Sequence, residues 1–240
     1  MLPTISLGRL VLPTAGLVYL LGLWLTLSLV ERSAKRLGQD GLAVYGLAST
    51  ALLAGFITAR LTFVALHWSA YQENLLGIVW PITSGYDLLG GLVGGGVAAV
   101  LFGRARRLPL LATLDTLAPG LIAALMIVSL ADLLAGPGYG VQTLMPWGIS
   151  QYGIRRHPVQ LYEVIVGFVA LASWLRAGRR PGFPGRLFLV SAAVYSGGRL
   201  LVDAFRDNAW VTAGGWHGVQ IVSLAVLLGC LFALRRGSAD

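Results

Sequence analysis

The chain has 240 residues, of which 56% are hydrophobic and only 12% charged, and its mean hydropathy is +0.76. Soluble domains typically carry about 25% charged residues, so a water-soluble protein is excluded. The formal charge of +8 would suit nucleic acid, but the basic residues fall in short clusters between apolar runs, where membrane topology accounts for them.

A helix that crosses a bilayer needs about 20 mostly apolar residues. Such runs lie at about 10–31, 41–66, 85–103, 110–135, 159–176, 185–203 and 217–235. They predict an all-α polytopic membrane protein with about seven transmembrane helices in a single domain, 1–240. The first run is long for a signal-peptide core and no small-x-small cleavage site follows it directly, so it is expected to stay as a helix. Lys and Arg in the short loops set the orientation. With the N-terminus outside, the cytoplasmic side holds Arg32, Lys35, Arg36, Arg104, Arg106, Arg107, Arg176, Arg179, Arg180, Arg186, Arg235 and Arg236. The other side holds Arg9, Arg155, Arg156 and Arg206, so the N-terminus is expected outside and the C-terminus in the cytoplasm. Partners are then the membrane and anionic lipid headgroups, with no nucleic acid.

Two stretches do not read as spans: 67–84, with Glu73 and Pro81, and 136–158, with Gly136, Pro137, Gly138, Gly140 and Pro146. Both are expected on the outer side. Trp68, Trp80, Trp147, Trp210, Tyr71, Tyr139 and Tyr152 decorate them, as aromatic rings do at a membrane interface. Glycine crowds into Gly85, Gly90, Gly91, Gly94, Gly95 and Gly96, a density that lets helix backbones approach closely. The single cysteine, Cys230, excludes a disulfide within the chain. His67, His157 and His217 lack zinc-ligand spacing, so neither a metal nor a cofactor is expected.

Ionisable residues inside a span are costly and face a cavity or a partner; Arg60, Asp115, Asp132, Glu163, Arg199 and Asp203 are the candidates. Arg199 and Asp203 are four apart and can pair on one helix face, with Tyr195 one turn the other way. One reading is an internal ion pair that fixes packing. The other is a phosphate site, because the planar guanidinium fork suits phosphate oxygens. Arg60 divides in the same way between snorkelling to headgroups and a second positive group. The most specific local string is Arg155-Arg156-His157-Pro158-Val159-Gln160-Leu161-Tyr162-Glu163, where Pro158 suits the first turn of a helix.

That string resembles the HPxQLYE motif of the bacterial phosphatidylglycerol–prolipoprotein diacylglyceryl transferases. The resemblance continues in order through Gly90-Gly91-Leu92-Val93-Gly94 and the arginines after it, then through Leu114-Asp115 and Leu117-Ala118-Pro119-Gly120-Leu121. It resumes at Gly198-Arg199-Leu200-Leu201-Val202-Asp203-Ala204-Phe205-Arg206 and at Gly218-Val219-Gln220-Ile221-Val222-Ser223-Leu224. It implies seven helices in the bacterial cytoplasmic membrane. It also implies a transferase that moves the diacylglyceryl group of phosphatidylglycerol onto the lipobox cysteine of a prolipoprotein signal segment, releasing glycerol phosphate. By the resemblance Arg199 holds the lipid phosphate, Tyr195 assists, and Asp203 stands where the family has Glu. His157, Gln160, Glu163, Gly90, Gly91 and Arg206 fall at substrate-binding positions.

The chain departs from the family at several polar positions. The family's HGG histidine falls on Leu89, and its N-terminal Tyr falls on Ala15. The stretch GRxGNFxNGE aligns so that Ser129 replaces its Arg, Asp132 its Asn and Pro137 its Glu. One expectation is therefore a transferase whose site is rebuilt from Arg60, Arg199, Asp132 and Asp87. The alternatives are a degenerate paralogue that binds lipid or lipoprotein without transfer, or an enzyme of the same fold acting on a different lipid.

Overall fold

A computed structural model describes residues 4–7, 10–72, 75–79, 85–136 and 138–237. The expectations placed on Arg9, Glu73, Trp80, Pro81 and Pro137 lie outside these residues. In chain order the elements are β1 (Thr4–Leu7), β2 (Leu10–Pro13), α1 (Thr14–Arg36), α2 (Gly41–Leu66), α3 (Trp68–Tyr71), α4 (Leu76–Val79), α5 (Leu88–Ala105) and α6 (Leu110–Ala135). They continue with β3 (Ile149–Gln151), β4 (Ile154–Arg156), α7 (Val159–Ala177), α8 (Arg186–Val202) and α9 (Gly218–Gly237). A 3-10 turn, Asp203–Phe205, extends α8. Among the described residues seven helices, α1, α2 and α5 to α9, are long and apolar enough to cross a membrane.

The first span differs from expectation at its start. Leu10–Pro13 pairs antiparallel with Thr4–Leu7, and the helix begins only at Thr14. A short apolar run reads the same as a strand or as the start of a helix. The helix keeps its spanning length by continuing to Arg36, with Lys35 and Arg36 in its last turn, where positive charge complements the helix dipole. Gly38, at φ +70°, then turns the chain. Asp40 caps α2 by accepting the amides of Leu42 at 3.0 Å and Ala43 at 3.1 Å.

The chain forms two compact units, one of Val30–Thr113 and one of Met1–Leu29 with Leu114–Asp240. In the first, α2 packs on α5 with backbones in contact. A Cβ at Gly95 would lie 2.8 Å from the carbonyl oxygen of Ala51, so no side chain fits there. The approach is the one small residues permit between membrane helices.

In the second unit a joint ties α6, α7 and α8 together. Pro119 lies inside α6, and having no N–H it leaves the carbonyl of Asp115, four residues back, without its helical partner. The Trp174 indole N–H of α7 donates to that carbonyl at 2.9 Å. The carboxylate of Asp115 meanwhile accepts the amides of Gly185 at 2.7 Å and Phe188 at 2.8 Å. Gly185 occupies the N-cap of α8 and has no side chain to cap with. Asp115 therefore supplies from another helix the oxygen that an N-cap side chain normally gives.

At the end of this unit where α7 begins, extended segments join into a small β cap. β3 pairs with β4, while Gly140 bridges Arg206 and Gln142 bridges Arg156. The amide of Val141 donates to Phe205 at 2.8 Å and that of His157 to Val141 at 3.0 Å. Gly140 is required, since a Cβ there would stand 2.3 Å from the carbonyl oxygen of His157. Arg156 secures the cap with a 2.6 Å ion pair to Asp207 and lies over the ring of Tyr139, 4.7 Å from its centroid.

Candidate active site

The β cap and the helix joint hold the walls of a cavity of about 360 Å³ in the second unit. Helix α6 contributes Leu125, Val128, Ser129 and Asp132, α7 gives Glu163, and α8 gives Tyr195 and Arg199. Arg206, Asn208 and Trp210 follow α8, and Val219 comes from α9. A second groove of about 350 Å³, bounded mainly by apolar side chains such as Leu121, Ile122 and Phe188, shares Leu125, Val128 and Tyr195 with the first. A polar chamber and an apolar trough thus have a common wall.

Glu163 is the hub of the chamber. It is 4% exposed, and its Oε1 receives both the Arg199 and the Arg206 guanidinium. Ser129 Oγ donates to its other oxygen at 2.6 Å. One buried carboxylate thereby answers two cations. Arg199 is set by its place in the last turn of α8, and Arg206 by its bridge to Gly140. Each guanidinium has several N–H donors, and the Nε of Arg206 has no partner among the described residues. The pair can therefore bind a further anion.

The expected pairing of Arg199 with Asp203 is replaced. Arg199 reaches across to α7, while Asp203, fully buried, lies at the C-cap of α8 where the helix tightens into the 3-10 turn. Its Oδ2 is 3.1 Å from Nδ1 of His217. This His217 contact went unseen in the sequence because its two residues meet only in the tertiary fold. Ser129, where the family has Arg, does not leave a gap but hydrogen-bonds Glu163. Asp132 lines the chamber within the electrostatic reach of Arg206 and Glu163. The Tyr19 phenol of α1 is within reach of the Asp132 charge; it is one helical turn from Ala15, and that four-residue spacing was the available signal.

His157 Nδ1 lies 3.0 Å from the Tyr162 hydroxyl, which accepts the Trp147 indole N–H at 2.8 Å. Gln160 is fully buried and its amide donates to the carbonyl of Gly138. Both residues hold the β cap to α7, which is how the HPxQLYE string acts on the chamber, with its last residue as the hub.

The other expected site residues lie in the first unit. Arg60 is buried there, donating to the carbonyls of Ile78 at 2.9 Å and Gly85 at 3.0 Å, and to that of Gly77. The rings of Tyr71 and Tyr86 flank it at 5.2 and 5.8 Å. Gly90 and Gly91 sit in the contact with α2, where added Cβ atoms would meet Thr62 and Ala59. Asp87 uses its carboxylate to cap α5, accepting the amide of Gly90 at 2.6 Å, and the Leu89 side chain is exposed.

Two guanidiniums gathered beside an apolar trough, in a chain whose described residues include seven membrane-length helices, define a polytopic membrane protein with a chamber suited to an anionic amphiphile. The comparisons with known proteins give that class a family. The pattern of the prolipoprotein diacylglyceryl transferase family matches residues 3–235, and the chain belongs to that family. It is similar to the phosphatidylglycerol–prolipoprotein diacylglyceryl transferase of Geobacter sulfurreducens, at 31% identity over 242 residues, covering 95% of this chain and 92% of the relative. That of Pediococcus pentosaceus is 31% identical over 250 residues, 97% of this chain and 89% of the relative. That of Clostridioides difficile is 28% identical over 218 residues, 91% of this chain and 88% of the relative.

Proposed function

We propose that this protein transfers the diacylglyceryl group of phosphatidylglycerol to the lipobox cysteine thiol of prolipoproteins, releasing glycerol phosphate. The observation that carries the reading is the convergence of Arg199 and Arg206 on Glu163 in a chamber that shares a wall with an apolar trough. The lipid phosphate engages the remaining donors of the two guanidiniums, which stabilise the negative charge that grows as the phosphate departs. Tyr195, at the common wall of chamber and trough, steers the glyceryl carbons. Asp203 and His217 fix the end of α8 from which Arg206 projects.

On this reading the whole chain, 1–240, works as one transmembrane domain in the bacterial cytoplasmic membrane. The N-terminus and the β cap are outside, where the signal segment of a secreted prolipoprotein presents its cysteine. The excess of Lys and Arg in the opposite loops supports that orientation. The alternatives, a lipid-binding paralogue without turnover or a transferase for another lipid, draw support from Leu89, Ala15 and Ser129 at family polar positions.

Complementation separates these readings. The chain is expressed in a bacterium depleted of its own transferase, and a reporter prolipoprotein is followed by its lipid-dependent mobility shift. Rescue that vanishes with Arg199→Ala is the expected result. A stable, inserted protein that gives no rescue overturns transfer from phosphatidylglycerol and favours the alternatives.

A further inference from the structure

Nucleophilic attack by a thiol needs its proton removed, because the thiolate is the reactive form. Resting on the transferase reading, we infer that Asp132 takes that proton. The chamber offers few other acceptors. Arg199 and Arg206 are permanently protonated. Glu163 already accepts from both of them and from Ser129, and the phenol of Tyr195 is a poor base while it holds its own proton. Asp132 is half-buried on α6 and lines the same chamber. Among the described residues nothing donates a hydrogen bond to its carboxylate, while its backbone carbonyl is used by Gly136.

The charges around it make the step coherent. Arg206 from the β cap attracts the Asp132 carboxylate, whereas Glu163 of α7 repels it, and the neutral phenol of Tyr19 on α1 lies within its reach. Arg199 and Tyr195 complete the groups that α8 brings to the chamber. The S–H bond breaks and its proton goes to an Asp132 oxygen. The sulfur forms a bond to the terminal glyceryl carbon as that carbon's bond to the phosphate oxygen breaks, with the electron pair leaving on the phosphate. One negative charge thus passes from Asp132 to the departing phosphate, and the total charge in the chamber does not change. Protonated Asp132 then releases its proton to the freed glycerol phosphate or to water. No metal or further reactant is needed to balance the step.

The test uses the full chain in phosphatidylglycerol vesicles with a lipobox peptide, following the turnover number from pH 6.5 to 9. Asp132→Asn keeps the shape of the side chain and removes the base. It is expected to slow transfer about 100-fold or more near pH 7. The deficit shrinks toward pH 9, because a free thiol ionises by itself near pH 8.5. Asp132→Glu is expected to restore a large part of the rate at pH 7. A wild-type rate for Asp132→Asn at pH 7, or a deficit that stays constant across the range, overturns the inference while leaving the transferase reading intact. A wild-type chain that transfers nothing at any pH overturns both.

Discussion

Arg60 and Arg199 are both guanidiniums set in apolar helix packing, yet the two units of the chain satisfy them by different means. Arg60 donates to three backbone carbonyls and lies between two tyrosine rings. Arg199 meets a carboxylate, Glu163, which it shares with Arg206. Carbonyl oxygens cannot leave the backbone, so the first arrangement ties Gly77, Ile78 and Gly85 to α2. A carboxylate is one anion among others, and a phosphate that enters the chamber competes with it on equal chemical terms. A buried arginine is thus a structural clip when the backbone solvates it, and a ligand site when another ionised side chain does.

Five substitutions sharpen or break that contrast, read as changes in unfolding free energy of the purified protein in detergent. Glu163→Ala leaves two guanidiniums without their common counter-ion and is expected to cost roughly 3–5 kcal/mol; an unchanged stability would show that the pair is already answered by solvent or lipid. Next comes Arg60→Met, which keeps the apolar stem and strips three carbonyls of their donor, at about 3 kcal/mol. If this variant unfolds no more easily than wild type, the clip is decorative and the comparison fails. Gly95→Val forces α2 and α5 apart against the backbone of Ala51, at about 2–3 kcal/mol, and also lowers the yield of inserted protein. Trp174→Phe removes the donor to the Asp115 carbonyl and is expected to cost about 1–2 kcal/mol. Lys35→Ala breaks the 2.6 Å pair with Glu31 one turn away. Its loss is expected to fall within about 0.5 kcal/mol, which sets the floor against which the buried charges are judged.

The spans were legible because a bilayer imposes a length, and the run from 110 to 135 is met residue for residue by α6. The hairpin before Thr14 was not, since Leu10, Val11 and Leu12 contribute the same hydropathy to a strand as to a helix. The chamber was half legible. Its members Asp132, Glu163, Tyr195, Arg199 and Arg206 stand out as polar groups in or beside apolar helices, but who pairs with whom did not. Spacing along one helix suggested Asp203 for Arg199, whereas the partner comes from α7, 36 residues away. His217 carries no local signal of its neighbour Asp203, because contacts between helices are fixed by packing and not by sequence interval.

The proline in α6 has a consequence for the order in which this protein can change. Pro119 opens the carbonyl of Asp115, and Trp174 closes it. Replacing Pro119 by Ala returns an amide that can satisfy the Asp115 carbonyl, after which Trp174→Phe should cost less than it does in the wild-type chain. Taken in the other order, the first step strands a buried oxygen. The two sites are therefore coupled in a direction: a lineage can shed the proline and then the tryptophan through stable intermediates, while the reverse route crosses a damaged one. The joint works as a ratchet, and a double-mutant cycle on the two residues would read its direction.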